Sequence, residues 1–150
     1  MNAFELLKND HQKVSGIFQQ LEPTTEDDAA RRQTLVTQLK QDLDMHAHIE
    51  ETIFYPALKK EAETREITLE ALDEHQEIKD LLAQLVATPP NSGDWSDALS
   101  ELKESVEHHV DEEENEMFSK ARDVLSPQQI EELGTRMQNE KQQKTKTATG

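Results

Sequence analysis

Apolar residues recur along most of this chain at alternating intervals of three and four, the period of a helix with one buried face. The first run is Phe4, Leu7, Val14, Phe18 and Leu21, with His11 standing in the same stripe. Asn2 can cap it, Glu5 three residues on completes a capping box, and Pro23 disfavours helical geometry at Glu22 and so ends it. After a polar link over 24–28, a second helix is predicted from about 29 to about 60, with the stripe Leu35, Leu39, Leu43, His46, Glu50, Ile53 and Ala57. Pro56 should kink or end it. A link around 63–65 leads to a third helix carrying Leu69, Leu72, His75, Ile78, Leu82 and Leu85, which stops before the Pro- and Gly-containing loop at 88–93. Asp94 or Ser96 caps a fourth, with Leu99, Leu102, Val106, His109, Glu113, Met117 and Val124. Ser126 and Pro127 read as the N-cap and first residue of one more short helix, bearing Ile130, Leu133 and Met137. From Lys141 the stripe is lost.

Short links make consecutive helices antiparallel. The expected fold is therefore all-α: an up-down-up-down four-helix bundle over 1–125, a short C-terminal helix over 126–140, and a disordered tail over 141–150.

Four of these stripes contain groups that an apolar core should not receive. His46 and Glu50 lie four residues apart, as do His109 and Glu113, so each pair shares a helix face. An aromatic follows each of these histidines by nine residues (Tyr55, Phe118). His11 and His75 lie early in their helices while the two pairs lie late, so an antiparallel bundle brings all six to one end. At ~1.5 Å per residue they fall ~12 to ~22 Å from that end. Buried and unpaired, a carboxylate costs several kcal/mol or becomes neutral. A pair of divalent metals supplies the missing partners, and four imidazoles with two carboxylates suit iron. His48 and His108 lie off the stripes and are expected to face solvent, as are the acids of 112–116 apart from Glu113.

Composition narrows the chemistry. The 150 residues contain no cysteine, which excludes disulfides, thiolate metal sites and Cys nucleophiles. A formal charge of −16 opposes binding to phosphate, so neither nucleic acid nor an anionic membrane is an expected partner. No apolar run approaches the ~20 residues of a membrane span, and no signal-peptide pattern is present. A cytoplasmic location is the expectation.

Taken together, Asp10-His11, His46-x-x-x-Glu50-Glu51 with Phe54-Tyr55-Pro56, Glu74-His75-Gln76-Glu77-Ile78, and His109-x-x-x-Glu113-Glu114 with Met117-Phe118 resemble the haemerythrin-like HHE cation-binding domains. The resemblance implies a four-helix bundle around a non-haem di-iron site: two iron ions, oxo- or hydroxo-bridged, with Glu50 and Glu113 bridging and His11, His46, His75 and His109 completing the set. It implies a small diatomic or peroxide ligand; any protein partner is left open. The oxygen carriers of the family place a second His four residues after the third-helix His, where this chain has Lys79. Their last carboxylate is an Asp five residues from its His, where this chain has Glu113 at four. The lost ligand should leave an open position at each metal, which argues against simple oxygen carriage and towards turnover with peroxide or nitric oxide. Three readings follow: a di-iron protein that binds or senses O2, NO or peroxide; a di-iron peroxidase or catalase-like scavenger; and a non-redox module, an iron or zinc buffer or an interaction bundle.

Overall fold

The computed structural model describes residues 1–149, and among them every regular element is helical. Helix α1 (Ala3–Leu21) runs antiparallel to α2 (Ala29–Ile49). The Asn2 side chain accepts the Glu5 backbone N–H at 2.9 Å, as the capping box predicts. Beyond α2 the helix widens into a π turn (Glu50–Phe54), tightens again as α3 (Tyr55–Lys59), and is followed by α4 (Ala62–Ala87). Helix α5 (Trp95–Glu112) repeats the sequence of events: a π turn (Glu113–Met117), then α6 (Phe118–Val124). Helix α7 (Pro127–Thr149) packs along α1 and α2.

The expected break at Pro56 takes the form of the first π turn, in which the Tyr55 N–H donates to the Glu50 carbonyl. Pro56 has no N–H to give, so a displaced ladder costs little there. The second π turn has Ser119 at that place, and the Phe118 N–H still donates to the Glu113 carbonyl. Proline is therefore not the cause. Both turns begin at the glutamate of a His-x-x-x-Glu pair. In an α-helix a residue five positions on would point ~140° away. The i→i+5 bond instead stacks Tyr55 over Glu50 and Phe118 over Glu113, facing the core.

Two apolar clusters fill the bundle. One joins Phe4, Phe54, Tyr55, Phe118, Ile67 and Ala71 to Ile130, Leu133 and Met137 of α7. The other joins Phe18, Leu21, Leu39, Leu82, Leu85, Trp95 and Leu102. At the far end of the second cluster, buried Arg32 donates to the Thr24 hydroxyl (2.9 Å), the Thr24 carbonyl (2.8 Å) and the Pro90 carbonyl (2.6 Å). Its guanidinium lies 4.0 Å from the Trp95 ring centroid, so one side chain ties both long loops to the core.

Two expectations are corrected. Leu69 is 44% exposed; the buried face of α4 begins instead with Thr64, Ile67, Thr68 and Ala71. The Thr64 and Thr68 hydroxyls donate to the carbonyls of Leu58 (2.5 Å) and Thr64 (2.6 Å), so they enter the core already satisfied and carry no apolar signal in the sequence. The last helix, expected to end near 140 before a disordered tail, continues to Thr149. Lys and Gln are good helix formers, and an already nucleated helix extends without an apolar stripe. Gly150 lies outside the described residues.

Candidate metal centre

Between the two apolar clusters lies one polar layer. His11, His46, Glu50, His75, His109 and Glu113 are all buried there, with Glu50 0% and Glu113 1% exposed. Helix α1 contributes His11, α2 and its π turn His46 and Glu50, α4 His75, and α5 and its π turn His109 and Glu113. All six expected residues are thus brought together. They form two groups: His11, His46, Glu50, Glu113, and His75, His109, Glu50, Glu113, with the donor atoms of each group within 4.8 Å of one another. Both glutamates belong to both groups. The halves mirror each other, with imidazole centroids 4.9 Å apart for His11 and His46 and 4.7 Å for His75 and His109.

Each imidazole is fixed from outside by a carboxylate at Nδ1. His46 is held by Asp10 at 2.9 Å, His75 by Glu51 at 2.8 Å, His109 by Glu74 at 2.7 Å and His11 by Glu114 at 2.5 Å. An ionised carboxylate only accepts, so Nδ1 carries the proton and the Nε2 lone pair points inward. Inside the layer, His46 Nε2 lies 2.9 Å and His75 Nε2 3.1 Å from Glu50 Oε1, and His11 Nε2 lies 3.1 Å from Glu113 Oε1. Yet His11 Nε2, His46 Nε2, both oxygens of Glu50 and Oε1 of Glu113 make no hydrogen bond, although all are buried. Each such orphan costs ~1 to 3 kcal/mol, more when charged. Lone pairs crowded at these distances without hydrogen bonds are what a cation between them resolves. The donor set fits a metal.

The acidic layer also shifts its own groups. Burial pulls the His46 imidazolium down, but the charge of Glu50, the hydrogen bond to Asp10, the close approach of Glu50 and the charge of Glu113 outweigh it and hold it well above the usual histidine value. Burial acts likewise on His109, and Glu113, Glu74 and Glu50 raise it to about 10. Burial would raise Glu113; contacts with Glu50, His109 and His11 hold it well below a normal carboxylate.

Tyr55 is the residue the sequence reading did not use. Its hydroxyl donates to Glu113 Oε2 at 2.6 Å and lies 3.1 Å from His75 Nε2, so its oxygen stands among the donors of the second group. Burial, then the charges of Glu113 and Glu50, raise its pKa well above the usual value. Phe118 stands at the same position after the second π turn and carries no hydroxyl. The nine-residue spacing was visible; its inward direction depends on the π turn.

The four Nδ1 partners lay next to the expected ligands in sequence: Asp10 before His11, Glu74 before His75, Glu51 after Glu50, Glu114 after Glu113. Each serves a histidine of another helix, which adjacency alone does not reveal. His108 is exposed as expected and meets Glu112 (3.1 Å) and Glu74 (3.5 Å) on the outer face. His48 is only half exposed, because α7 covers it and Glu140 lies 2.9 Å away. Neither reaches the buried layer. The Lys79 ammonium turns outward to Glu51, at 2.9 and 3.0 Å, as a snorkelling lysine should.

The family model for the Hemerythrin HHE cation binding domain matches residues 2–121, the whole of this layer included. The chain belongs to this family. This HHE domain is similar to the crystal structure of an HHE domain-containing protein from Mycobacterium kansasii, with a TM-score of 0.86 and 31% identity over 99% of this chain and 90% of that one. An uncharacterized Mycobacterium tuberculosis protein is 30% identical over 91% of this chain and 83% of its own. A Nostoc protein named DNA nickase is 33% identical over 90% of this chain, which spans only 38% of that protein's length. Among the described residues no helix is long and apolar enough to cross a membrane.

Proposed function

We propose that this HHE domain holds two iron ions in the buried layer and binds a small ligand there: dioxygen, nitric oxide or peroxide. The observation that carries this reading is the set of five buried donor atoms without hydrogen bonds. Glu50 and Glu113 would bridge. His11 and His46 would complete one ion's set and His75 and His109 the other's, with the Tyr55 hydroxyl hydrogen-bonded to Glu113 beside it. When bound, the iron pair supplies electrons and free coordination sites.

The protein supplies the rest. On the side away from Tyr55 all four histidines border a cavity of about 40 Å³, walled by Val14, Ile78, Leu82, Val106 and Val110. A space that admits water-sized molecules beside four imidazoles has room for a diatomic or a peroxide. Its wall is mostly apolar, with Asp10, Asp44 and Lys79 also lining it. Burial of every donor argues against a readily exchanging iron buffer. The net charge of −16 supports a reading without nucleic acid contact, and the nickase name belongs to a protein mostly outside this alignment.

Tyr55 favours a second reading, turnover of peroxide in a scavenging reaction. Its hydroxyl, hydrogen-bonded to Glu113 and 3.1 Å from His75 Nε2, is a polar group placed to hydrogen-bond an oxygen ligand in the layer. The test is metal analysis with anaerobic visible spectra before and after O2, NO and hydrogen peroxide. Two irons per chain and a ligand-dependent spectrum are expected; steady O2 release or substrate oxidation with peroxide selects the second reading. Fewer than two metals, or a spectrum blind to all three ligands, overturns both.

A further inference from the structure

Helix α7 lies outside the four-helix bundle, yet it reaches the metal layer. Lys141 Nζ donates to Asp10 Oδ1, while Asp10 Oδ2 takes the Nδ1 proton of His46 at 2.9 Å. Asp10 is 7% exposed, and a carboxylate that buried needs a charge partner on each side. The preceding residue, Glu140, lies 2.9 Å from His48, two positions beyond His46, so one turn of α7 grips α1 and α2 on either side of that ligand. The other half of the layer contains the same relay without a fifth helix. Lys79 donates to Glu51, and Glu51 takes the Nδ1 proton of His75.

We infer that α7 is part of the metal centre: Lys141 is a positioning residue that holds Asp10 against His46, as Lys79 holds Glu51 against His75. The inference rests on the reading of His46 as a ligand. An open groove bordered by Met1, Asn9, Lys13, Gln138 and Gln142 adjoins Asp10, so without Lys141 the carboxylate has water to turn to. The His46 imidazole would then lose the acceptor that fixes its tautomer and plane. Helix α7 would thereby govern one metal of the two.

The experiment uses the full chain loaded with zinc, or with ferrous iron if zinc does not fill both positions, and reads the histidine Nδ1–H protons by NMR. Four low-field signals are expected in wild type, one for each imidazole–carboxylate bond. Lys141→Gln should shift or broaden away the His46 signal alone; Lys79→Gln should do the same to His75; Lys141→Arg should leave all four in place. Four unchanged signals in Lys141→Gln overturn the relay, and four signals displaced together mark a purely structural role and overturn it equally. Fewer than two metals per wild-type chain, with either ion, overturns the metal centre and this inference with it. Two metals with an unmoved His46 signal overturn this inference alone.

Discussion

His11 Nδ1 meets Glu114 Oε2 at 2.5 Å, and this contact between residues 103 positions apart closes a ring. Asp10 of α1 orients His46 of α2, Glu51 beyond α2 orients His75 of α4, Glu74 of α4 orients His109 of α5, and Glu114 beyond α5 returns to α1. Every imidazole is held by the helix before it. Glu114 is 30% exposed in its side chain, so its removal should spare the fold. Glu114→Ala should weaken metal binding about 10- to 100-fold while leaving the helical content intact. Competition against a chelator of known affinity measures this, and an unchanged affinity would show that the ring does not support the ligands.

Tyr55→Phe removes the hydroxyl and keeps the ring. Phe118 shows that a plain ring fits the same position after a π turn, so metal count and fold should persist, with a loss of ~1 kcal/mol for the buried hydrogen bond to Glu113. The visible spectrum and the rate with peroxide should both change. A variant whose spectrum and rate match wild type would remove Tyr55 from the site's chemistry.

Metal binding should expel protons. Without metal, His109 at about 10 and His46 well above its usual value both hold an extra proton at neutral pH, and a metal needs their Nε2 lone pairs. Titrating metal into stripped protein in weak buffer should release on the order of two protons. The signs for stability are opposite in the two forms. In stripped protein the raised imidazoles stabilise fully below the ordinary histidine pKa of ~6.5, and this contribution is lost as pH rises through about 10 for His109. The loaded protein instead weakens towards acid, as protons displace metal. Melting temperatures against pH for both forms check this; parallel profiles would contradict it.

Lys79 borders the cavity one turn past His75. Lys79→His would exchange an outward ammonium for an imidazole able to turn inward, and also remove the partner of Glu51. Slower peroxide turnover and a longer-lived O2 adduct are expected at equal metal loading. Turnover at the wild-type rate would place the reacting position elsewhere.

Gly134 is where α7 crosses the chain's beginning. A Cβ there would stand 2.4 Å from the Met1 carbonyl oxygen and 2.6 Å from the Asn2 carbonyl carbon, both backbone. Gly134→Ala should therefore cost ~1 to 3 kcal/mol, despite alanine's better helix propensity. A raised melting temperature would show that the crossing adjusts freely.

The sequence carried the bundle and the six donors because each lies on a stripe whose period reports burial directly. Leu69 misled because hydropathy says nothing of a neighbouring threonine that satisfies itself against a carbonyl. Tyr55 was seen but not placed, since its direction depends on a hydrogen bond to the fifth residue rather than the fourth. Lys141 lay beyond the end of the apolar stripe at Met137, and what holds it is a charge on α1 that no local pattern announces.

The two π turns amount to one surplus residue in each long helix. Delete Thr52 and Asn115 and both ladders could close as ordinary α-helix, while everything downstream would swing by ~100° relative to what precedes it. Upstream, the histidine of each helix must face its own half of the layer; downstream, Phe54, Tyr55 and Leu58, like Met117, Phe118 and Ala121, must face the apolar cluster shared with α7. No uninterrupted helical period satisfies both demands. The surplus residue works as a gear tooth between two incompatible registers, and an in-frame deletion of a single codon in either turn would therefore disrupt the Phe54–Phe118 cluster as well as the buried His/Glu layer.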